Sequence, residues 1–298
     1  MFMHELKQRG MMEKKYFIIL IFIGVLMSNT AQALEIRIPS FSKDEIRLAF
    51  PLDLLDFVMN KSGVNYTIKT CDTPMNPVRI IHNLSKPGSA INIAIMGSSS
   101  VYEEEFLPVR FPIYRGLLGH RIFIIHKNHQ EQFNRVSTLQ DLQKMNGAQG
   151  IGWPDIEILE SAGLRQHVTA YDNIFRMIDT GNRIDYFSRG INEAFFEVDR
   201  NRDTLKNLAI EKQICLAYPY ALFFFCGKHD QVLVQAIETG FTKAYTDGSF
   251  NTFFYDHPAI INMLTRANLD KRRLIQIPNP LMTDKTLKAL KKYQHSVH

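Results

Sequence analysis

Two arginines and two carboxylates stand in or beside apolar, strand-like segments, and these are the side chains that could bind a charged ligand. Arg121 lies in the otherwise apolar segment 120–126, and Arg189 follows a short predicted strand. A charge in such a segment needs a partner or a ligand, and a guanidinium matches a carboxylate or phosphate with two parallel hydrogen bonds. We therefore expect Arg121 and Arg189 to bind an anion, and Asp155 and Glu193 to suit an amino group.

The segment 147–164 is the element that must position part of this chemistry. Its pattern predicts a short strand, a tight turn and a helix, with Pro154 at the first helical position and Gly163 at the end. In an α/β sheet the carboxyl end of such a strand faces the ligand crevice. We expect Trp153, the single tryptophan of the chain, and Asp155 to line that crevice. Alternatively, Trp153 covers a local core and Asp155 complements the helix dipole.

Polar residues also follow the buried run at 91–96, which has the length of a parallel strand. Ser98 and Ser99 offer hydroxyl groups to a ligand, and a plain turn is the alternative. Tyr114, in an aromatic segment that contains Pro112, could stack on a ligand or donate a hydrogen bond to it. Its alternative is packing in the core.

The sequence contains no HExxH, GxSxG, P-loop or GxGxxG pattern. Its ten histidines are scattered, and the acidic run 103–105 is typical of a solvated face. We therefore predict no catalytic residue, no metal site and no cofactor.

The N-terminal region has the pattern of a secretory signal. Lys14 and Lys15 precede the apolar run 16–27, and Ala31 and Ala33 form a small-x-small cleavage site. The run is short for a membrane span, which needs roughly 20 apolar residues. We expect residues 1–33 to be a signal peptide and the protein to be exported to the periplasm, with an uncleaved anchor as the alternative.

The remaining region, 34–298, is long enough for one large or two small domains. The formal net charge of the whole chain, +5, is modest, and the basic cluster 271–273 stands alone. A nucleic-acid-binding protein normally shows a concentrated basic stripe, so we expect no nucleic-acid partner. Three cysteines, an odd number, leave at least one thiol unpaired. A disulfide between Cys215 and Cys226 and a pair of buried free thiols both remain open.

The predicted elements form two β-α-β-α-β sets, and the order of the first implies a parallel sheet with right-handed crossovers. The first set has strands at 34–39, 64–69 and 91–96, and helices at 48–59 and 78–84.

The second set begins with the strand 120–126 and a helix opened by Ser137, and then includes the segment 147–164 described above. It continues with a helix at 173–179, a turn and short strand at 181–187, and an amphipathic segment at 191–198.

An apolar strand at 216–226, a helix at 232–245 and a tail of short helices follow. Strand-like crossings near Gly119 and Pro219 separate the two sets. We therefore predict an α/β fold of two hinged lobes, each a β-sheet flanked by helices, with 34–118 and 223–298 in lobe I and 119–222 in lobe II.

Four short motifs, in this order, are similar to segments of a known family: FPIYRG at 111–116, STLQDLQKMNGAQGIGW at 137–153, GNRIDYF at 181–187 and FTKAYTDGSF at 241–250. Together with the export signal, they resemble the type II periplasmic solute-binding proteins, in particular the family 3, amino-acid-binding group. The chain departs from that family at two places. The arginine that usually grips a ligand carboxylate is absent from 102–105, and Gly152-Trp153-Pro154-Asp155 replaces the usual Gly-Thr corner.

The resemblance implies a monomeric binding protein that encloses a small polar, amino-acid-like or carboxylate ligand between its lobes by hinge motion. Its partner would be an ABC-type membrane transporter or a sensor. Two alternatives remain. One is a dehydratase-like enzyme on the same scaffold, with Asp155 or Glu193 as acid or base. The other is a sensory or partner-binding protein with altered ligand binding. The four cleft charges could also form an internal salt-bridge network that closes the lobes.

Overall fold

A computed structural model of the protein describes residues 33–40 and 49–295. The predicted signal peptide therefore lies outside the described residues except for Ala33, and so does Leu48, the predicted start of the first helix. Within the described ranges, no helix has the length and apolar character that a bilayer crossing requires.

The elements alternate between strand and helix over most of the described chain. The strands are Leu34–Ser40 (β1), Tyr66–Pro74 (β2), Ile93–Gly97 (β3), Leu107–Val109 (β4), His120–His126 (β5), Gly147–Gly150 (β6), Gln166–Thr169 (β7), Tyr186–Gly190 (β8), Leu208–Ile210 (β9), Ile214–Ala217 (β10), Leu222–Cys226 (β11) and Arg273–Gln276 (β12). The α-helices are Ala49–Ser62 (α1), Pro77–Leu84 (α2), Ser100–Glu105 (α3), Gln130–Asn134 (α4), Leu139–Leu142 (α5), Asp155–Ser161 (α6), Tyr171–Thr180 (α7), Ala194–Asn201 (α8), Gln231–Thr246 (α9), Ser249–Asp256 (α10), Pro258–Ala267 (α11) and Asp284–Tyr293 (α12).

Two small sheets form the first group of strands. β1 and β2 are parallel, as predicted. The expectation of one parallel sheet through β3 is wrong, because β3 pairs antiparallel with β11, which also pairs antiparallel with β4. The reason is the return of the chain, since β11 comes back from the second group in the opposite direction and takes the place beside β3.

The second group is a seven-stranded mixed sheet with the order β12-β10-β5-β8-β6-β7, and β9 pairs with β5. The pairs β6–β7, β6–β8 and β10–β12 are parallel, whereas β5 is antiparallel to β8 and β10. The sequence predicted only helices and loops after residue 250. Strand β12 lies in that tail and joins the large sheet, although the whole of 223–298 was expected in lobe I.

The two crossings between the groups lie side by side. The predicted single strand at 216–226 is divided into β10 and β11 around Pro219, because proline cannot donate to a strand ladder. The backbone N–H of Tyr218 donates to the carbonyl oxygen of Gly119 at 3.1 Å. A side chain at Gly119 would collide with the carbonyl oxygen of Tyr218. The close approach of the crossings therefore requires glycine at this position.

The helices around the small sheets bury apolar faces against each other. Helix α1 buries Leu54 and Val58, and helix α9 buries Ile237 and Phe241 in the same core cluster. Burial of a side chain of this size contributes about 1.5–3 kcal/mol. A separate cluster of mostly aliphatic side chains also includes Phe123 of the large sheet. These two cores hold the elements that meet at the cavity described below.

All three cysteines are free thiols. Cys215 and Cys226 are buried in β10 and β11, and burial raises the pKa of the Cys215 thiol to about 12. The thiol of Cys226 has its pKa raised by the same cause. Both thiols therefore stay protonated. Of the two possibilities that the sequence left open, a Cys215–Cys226 disulfide and two buried free thiols, the second is the one observed.

Candidate functional site

A cavity of about 380 Å³ lies where the first group of elements meets the large sheet. Six of the eight predicted binding residues line it. The lining is formed by Pro51, Ile95, Tyr114, Leu118, Arg121, Trp153, Pro154, Asp155, Arg189, Asn192, Glu193, Tyr220 and Leu222. Ile95 and Leu222 come from paired strands of a small sheet, whereas Arg121 and Arg189 come from the large sheet. The cavity therefore opens between the two groups of strands.

Arg121 is a buried residue near the start of β5. Its Nη2 lies 3.0 Å from Oδ1 of Asp155, and its Nη1 lies 3.9 Å from Oε2 of Glu193. The guanidinium is also 5.0 Å from the ring centroids of both Tyr218 and Tyr220. Burial, the largest single influence, would lower the pKa of Arg121, but Asp155, Tyr218, Tyr220 and Glu193 together raise it above its usual value. Arg121 therefore stays positively charged, and Asp155 and the rings of Tyr218 and Tyr220 surround its guanidinium group.

Arg189 is the last but one residue of β8, not a residue beyond a strand as predicted, because the strand starts at Tyr186. Its Nε and Nη2 donate to the two carboxylate oxygens of Glu197 at 2.8 and 2.7 Å. Its Nη2 also lies 3.1 Å from Oε2 of Glu193. Burial would lower the pKa of Arg189, but Glu193 and Glu197 raise it. Glu197, which the sequence reasoning did not single out, is thus the main partner of this arginine.

Asp155 begins helix α6, one residue later than predicted, with Pro154 at the N-cap. Asp155 lies in the first turn of the helix, where the helix dipole favours a negative charge. The hydroxyl of Tyr218 donates a short hydrogen bond to Oδ1 of Asp155. Burial raises the pKa of Tyr218 well above its usual value, so this hydroxyl remains a donor. Asp155 therefore joins Arg121 to the second crossing.

Trp153 lies in the turn between β6 and α6 and folds back over Gly150, where a Cβ would be 2.6 Å from the indole ring. The guanidinium of Arg189 lies 4.6 Å from the indole ring, and the Phe187 ring is stacked at 6.1 Å. Trp153 therefore packs on the core and also lines the cavity. Both expectations for this residue, a cavity wall and the cover of a local core, describe it in part.

The four predicted charges form one network with Glu197. The alternative interpretation expected a network that closes the lobes, whereas the ion pairs described here all lie among residues of 119–222.

Ser98 and Ser99 do not line the cavity. The hydroxyl of Ser98 donates to Glu103 at 2.5 Å, and that of Ser99 caps helix α3 by accepting from the N–H of Tyr102. Their contacts match the plain-turn alternative.

The acidic run 103–105 is not entirely a solvated face. Glu104 and Glu105 are exposed, but the side chain of Glu103 is only 5% exposed and lies 2.6 Å from Nη1 of Arg110. The correction follows from tertiary packing, because Thr283 and Thr286 of the distant C-terminal segment also donate to Glu103.

Two lining residues with polar groups were missed by the sequence reasoning. Asn192 follows β8, and its side-chain oxygen is buried without a hydrogen-bond partner in the described part of the chain. Tyr220 follows Pro219 in the second crossing and lines the cavity. Tyr220 could have been predicted as a lining residue, because it lies beside the crossing that the sequence predicted near Pro219. Within 33–40 and 49–295, no group of three or more His, Cys, Asp or Glu residues is placed to hold a metal ion.

Comparison with known proteins identifies the fold. No protein-family model matches the sequence, and no curated protein matches it. Among solved structures, the chain is similar to a probable amino-acid ABC transporter extracellular-binding protein from Bacillus subtilis. The TM-score is 0.55 at 13% identity, over 76% of this chain and 99% of that one.

Two further structures give the same result. An ancestral arginine-binding protein bound to arginine has a TM-score of 0.52 at 17% identity, over 74% of this chain and 97% of that one. A periplasmic binding protein from Salmonella typhimurium, described as highly specific for arginine, has a TM-score of 0.50 at 16% identity, over 78% and 99%. The predicted two-lobed α/β fold of the periplasmic binding proteins is therefore confirmed, at sequence identities of 13–17%.

Proposed function

We propose that this protein binds a small polar solute in the cavity between its two lobes. The observation that carries the proposal is the lining itself, in which apolar residues of a small sheet face a charged network of the large sheet. A volume of about 380 Å³ is within the usual range of roughly 300–1,000 Å³ for small-molecule sites. A lobe arrangement of this kind allows closure over a ligand by bending at the two crossings.

The proposed lobes are 34–118 with 223–298 for lobe I and 119–222 for lobe II, except that β12 at 273–276 lies with lobe II. We further propose that the signal at 1–33 directs export to the periplasm, where the protein acts as a monomer. The structures with the same fold include a protein described as part of an amino-acid ABC transporter system. Delivery of the solute to such a membrane transporter is the role that this likeness supports.

The test uses Trp153, because the chain has one tryptophan and that residue lines the cavity. The purified protein is titrated with amino acids, small carboxylates, amines and short peptides while tryptophan emission and melting temperature are recorded. A ligand at 100 times its Kd stabilises the native state by about 2.7 kcal/mol, which corresponds to a rise in Tm of roughly 5–10 °C. We expect one class to raise Tm and shift the emission together.

Two outcomes contradict the proposal. A ligand that raises Tm without changing Trp153 emission binds elsewhere, and a panel without any effect on either signal removes the support for a solute site. Chromatography of the ligand recovered from the protein separates binding from catalysis, because turnover would return a different compound and favour an enzyme.

A further inference from the structure

A second cavity, of about 450 Å³, adjoins the cavity described above, and Tyr114 and Asn192 line both of them. We call the earlier one the first cavity and this one the side cavity. The other residues around the side cavity belong to 49–50 and 257–266 on one side and to 191–199 on the other. The two cavities are therefore neighbours between the proposed lobes. Each has the volume of a small-molecule site, roughly 300–1,000 Å³.

Most of the side cavity has an apolar lining. Phe50 and Met263 line it from one side, and Ile191, Phe195 and Phe196 line it from the other. Phe195 and Phe196 are half-buried, so water reaches part of each ring. Removal of such apolar surface from water is favourable. An apolar group of a ligand would therefore be stabilised in the side cavity.

The charged side chains around the side cavity already have partners. Nη2 of Arg266 lies 2.7 Å from Oδ2 of Asp199. Nε2 of His257 lies 3.1 Å from Oδ2 of Asp53, and its Nδ1 accepts a hydrogen bond from the backbone N–H of Ala259. A polar ligand group would compete with these contacts, whereas an apolar group leaves them in place.

The first cavity has a different lining. Asp155, Glu193 and the two arginines bring charge to it, beside the ring of Trp153. Hydrogen bonds to ionised groups are stronger than those between neutral groups, so a polar ligand group is better suited to this cavity. Tyr114 and Asn192, the residues that line both cavities, lie where the charged and the apolar linings meet. The space between the proposed lobes therefore changes from charged to apolar from one cavity to the next.

We propose that the solute is an amphipathic molecule with two parts. Its polar head group lies in the first cavity, and an aromatic or aliphatic arm extends past Tyr114 and Asn192 into the side cavity. This inference rests on the proposed binding function. It names a class of solute that is longer and more apolar than a single small polar amino acid.

The test compares compounds that share a head group and differ in the length of the arm. Isothermal titration calorimetry on the purified protein measures n-alkylamines and n-alkanoates of increasing chain length, and the dipeptides Gly-Gly, Gly-Leu and Gly-Phe. Each buried methylene group should raise the affinity about fourfold. We therefore expect the longest member of at least one series to bind at least ten times more tightly than the shortest.

Ala259→Phe tests where the arm lies. Ala259 is exposed on helix α11 and lines the side cavity, so a ring at this position fills the cavity without opening the core. The longest compound should lose at least tenfold in affinity, whereas the affinity of the shortest should change less than twofold. Thr265→Phe, an exposed change on the same helix, should leave both affinities unchanged.

The comparison within a series uses the unaltered protein, so it does not depend on whether a variant folds. Equal affinity along every series that binds would overturn this inference and leave the proposed function in place. The same holds if the tightest ligand of the solute panel has no apolar arm, or if a panel compound binds and no member of a series does. A gain with arm length that Ala259→Phe leaves intact would place the arm elsewhere and also overturn it. If neither the panel nor the series contains a ligand, the proposed function and this inference fail together.

Discussion

Asp155 shows how one side chain can serve both the fold and the cavity. It receives a hydrogen bond from Tyr218 of the second crossing, forms an ion pair with Arg121 near the first, and lies in the first turn of its helix. A carboxylate placed in this way stabilises a buried cation that would otherwise be costly. At the scale of the residue, the cavity is therefore built from charges that already have partners.

The residue-scale prediction concerns the removal of that carboxylate. Asp155→Asn should lower the free energy of unfolding by about 3 kcal/mol, because the change leaves the Arg121 guanidinium buried without its main counter-charge. Urea denaturation followed by circular dichroism measures the loss. Asp172→Asn, an exposed change in the first turn of α7, should stay within about 0.5 kcal/mol of the parent protein. If Asp155→Asn and Asp172→Asn lower the free energy of unfolding by similar amounts, loss of the buried ion pair is not the cause of the destabilisation.

At the scale of elements, Glu103 connects helix α3 to the C-terminal helix α12. Arg110 donates to Glu103 from the segment after β4, and Thr283 and Thr286 donate from the start of α12. The segment that carries Ser98 is also attached to Glu103, at 2.5 Å. This cluster holds the end of β3 and the tail of the chain together.

The pH dependence of stability tests this link. Burial raises the pKa of Glu103, but the hydrogen bonds from Ser98, Thr286, Arg110 and Thr283 outweigh it, so the net shift is downward. A lowered folded-state pKa gives a stabilisation that is complete above the unfolded pKa of about 4.5. That contribution is lost as the pH falls through the folded-state pKa.

Glu103→Gln should therefore cost about 2 kcal/mol at pH 7, and its difference from the parent protein should narrow steadily as the pH falls below about 4.5. Denaturation curves at pH 7, 5, 4 and 3 give this difference directly. Glu104→Gln, exposed on the same helix, serves as the control and should show no such convergence. A difference that is constant with pH would mean that the ionised carboxylate is not the stabilising group.

At the scale of the whole molecule, an ion pair outside the first cavity joins the two proposed lobes. Arg266 of helix α11 lies 2.7 Å from Oδ2 of Asp199 on helix α8, and its guanidinium is 4.5 Å from the Phe195 ring. Helix α11 packs against α1, whereas α8 packs against β5 and β9 of the large sheet. The ion pair therefore bridges the proposed lobes and should favour the closed arrangement.

Loss of this bridge should shift the molecule toward an open form. Since exposed ion pairs contribute about 0.2–1 kcal/mol, Arg266→Ala should weaken solute binding by up to about fivefold. It should also increase the radius of gyration measured by small-angle X-ray scattering without ligand. Arg202→Ala is the matched control, because Arg202 pairs with the same Asp199 but directly follows helix α8 in the same lobe. If Arg266→Ala and Arg202→Ala change the affinity and the radius of gyration equally, the cause is the loss of a positive charge near Asp199 and not the loss of the ion pair between the lobes.

Much of the fold could be predicted from local patterns. The sequence determined the strand at 120–126, the strand-turn-helix around Trp153 and the two crossings near Gly119 and Pro219. Apolar periodicity, glycine and proline report backbone geometry over a few residues, and such signals do not depend on distant partners. The order of these elements was enough for the two-lobed fold, and it also placed most of the predicted binding residues at one cavity.

Only the tertiary structure decided the pairing of β3 with β11, the strand at 273–276 and the partners of the arginines. The partner of Arg121 is 34 positions away, and Tyr218 meets Asp155 across 63 positions. Contacts of this kind depend on strand register and on how the lobes pack, which local periodicity does not encode. For the same reason, the sequence could suggest that Arg121 and Arg189 carry charge into the cleft, but only the packed structure shows that carboxylates pair with both of them.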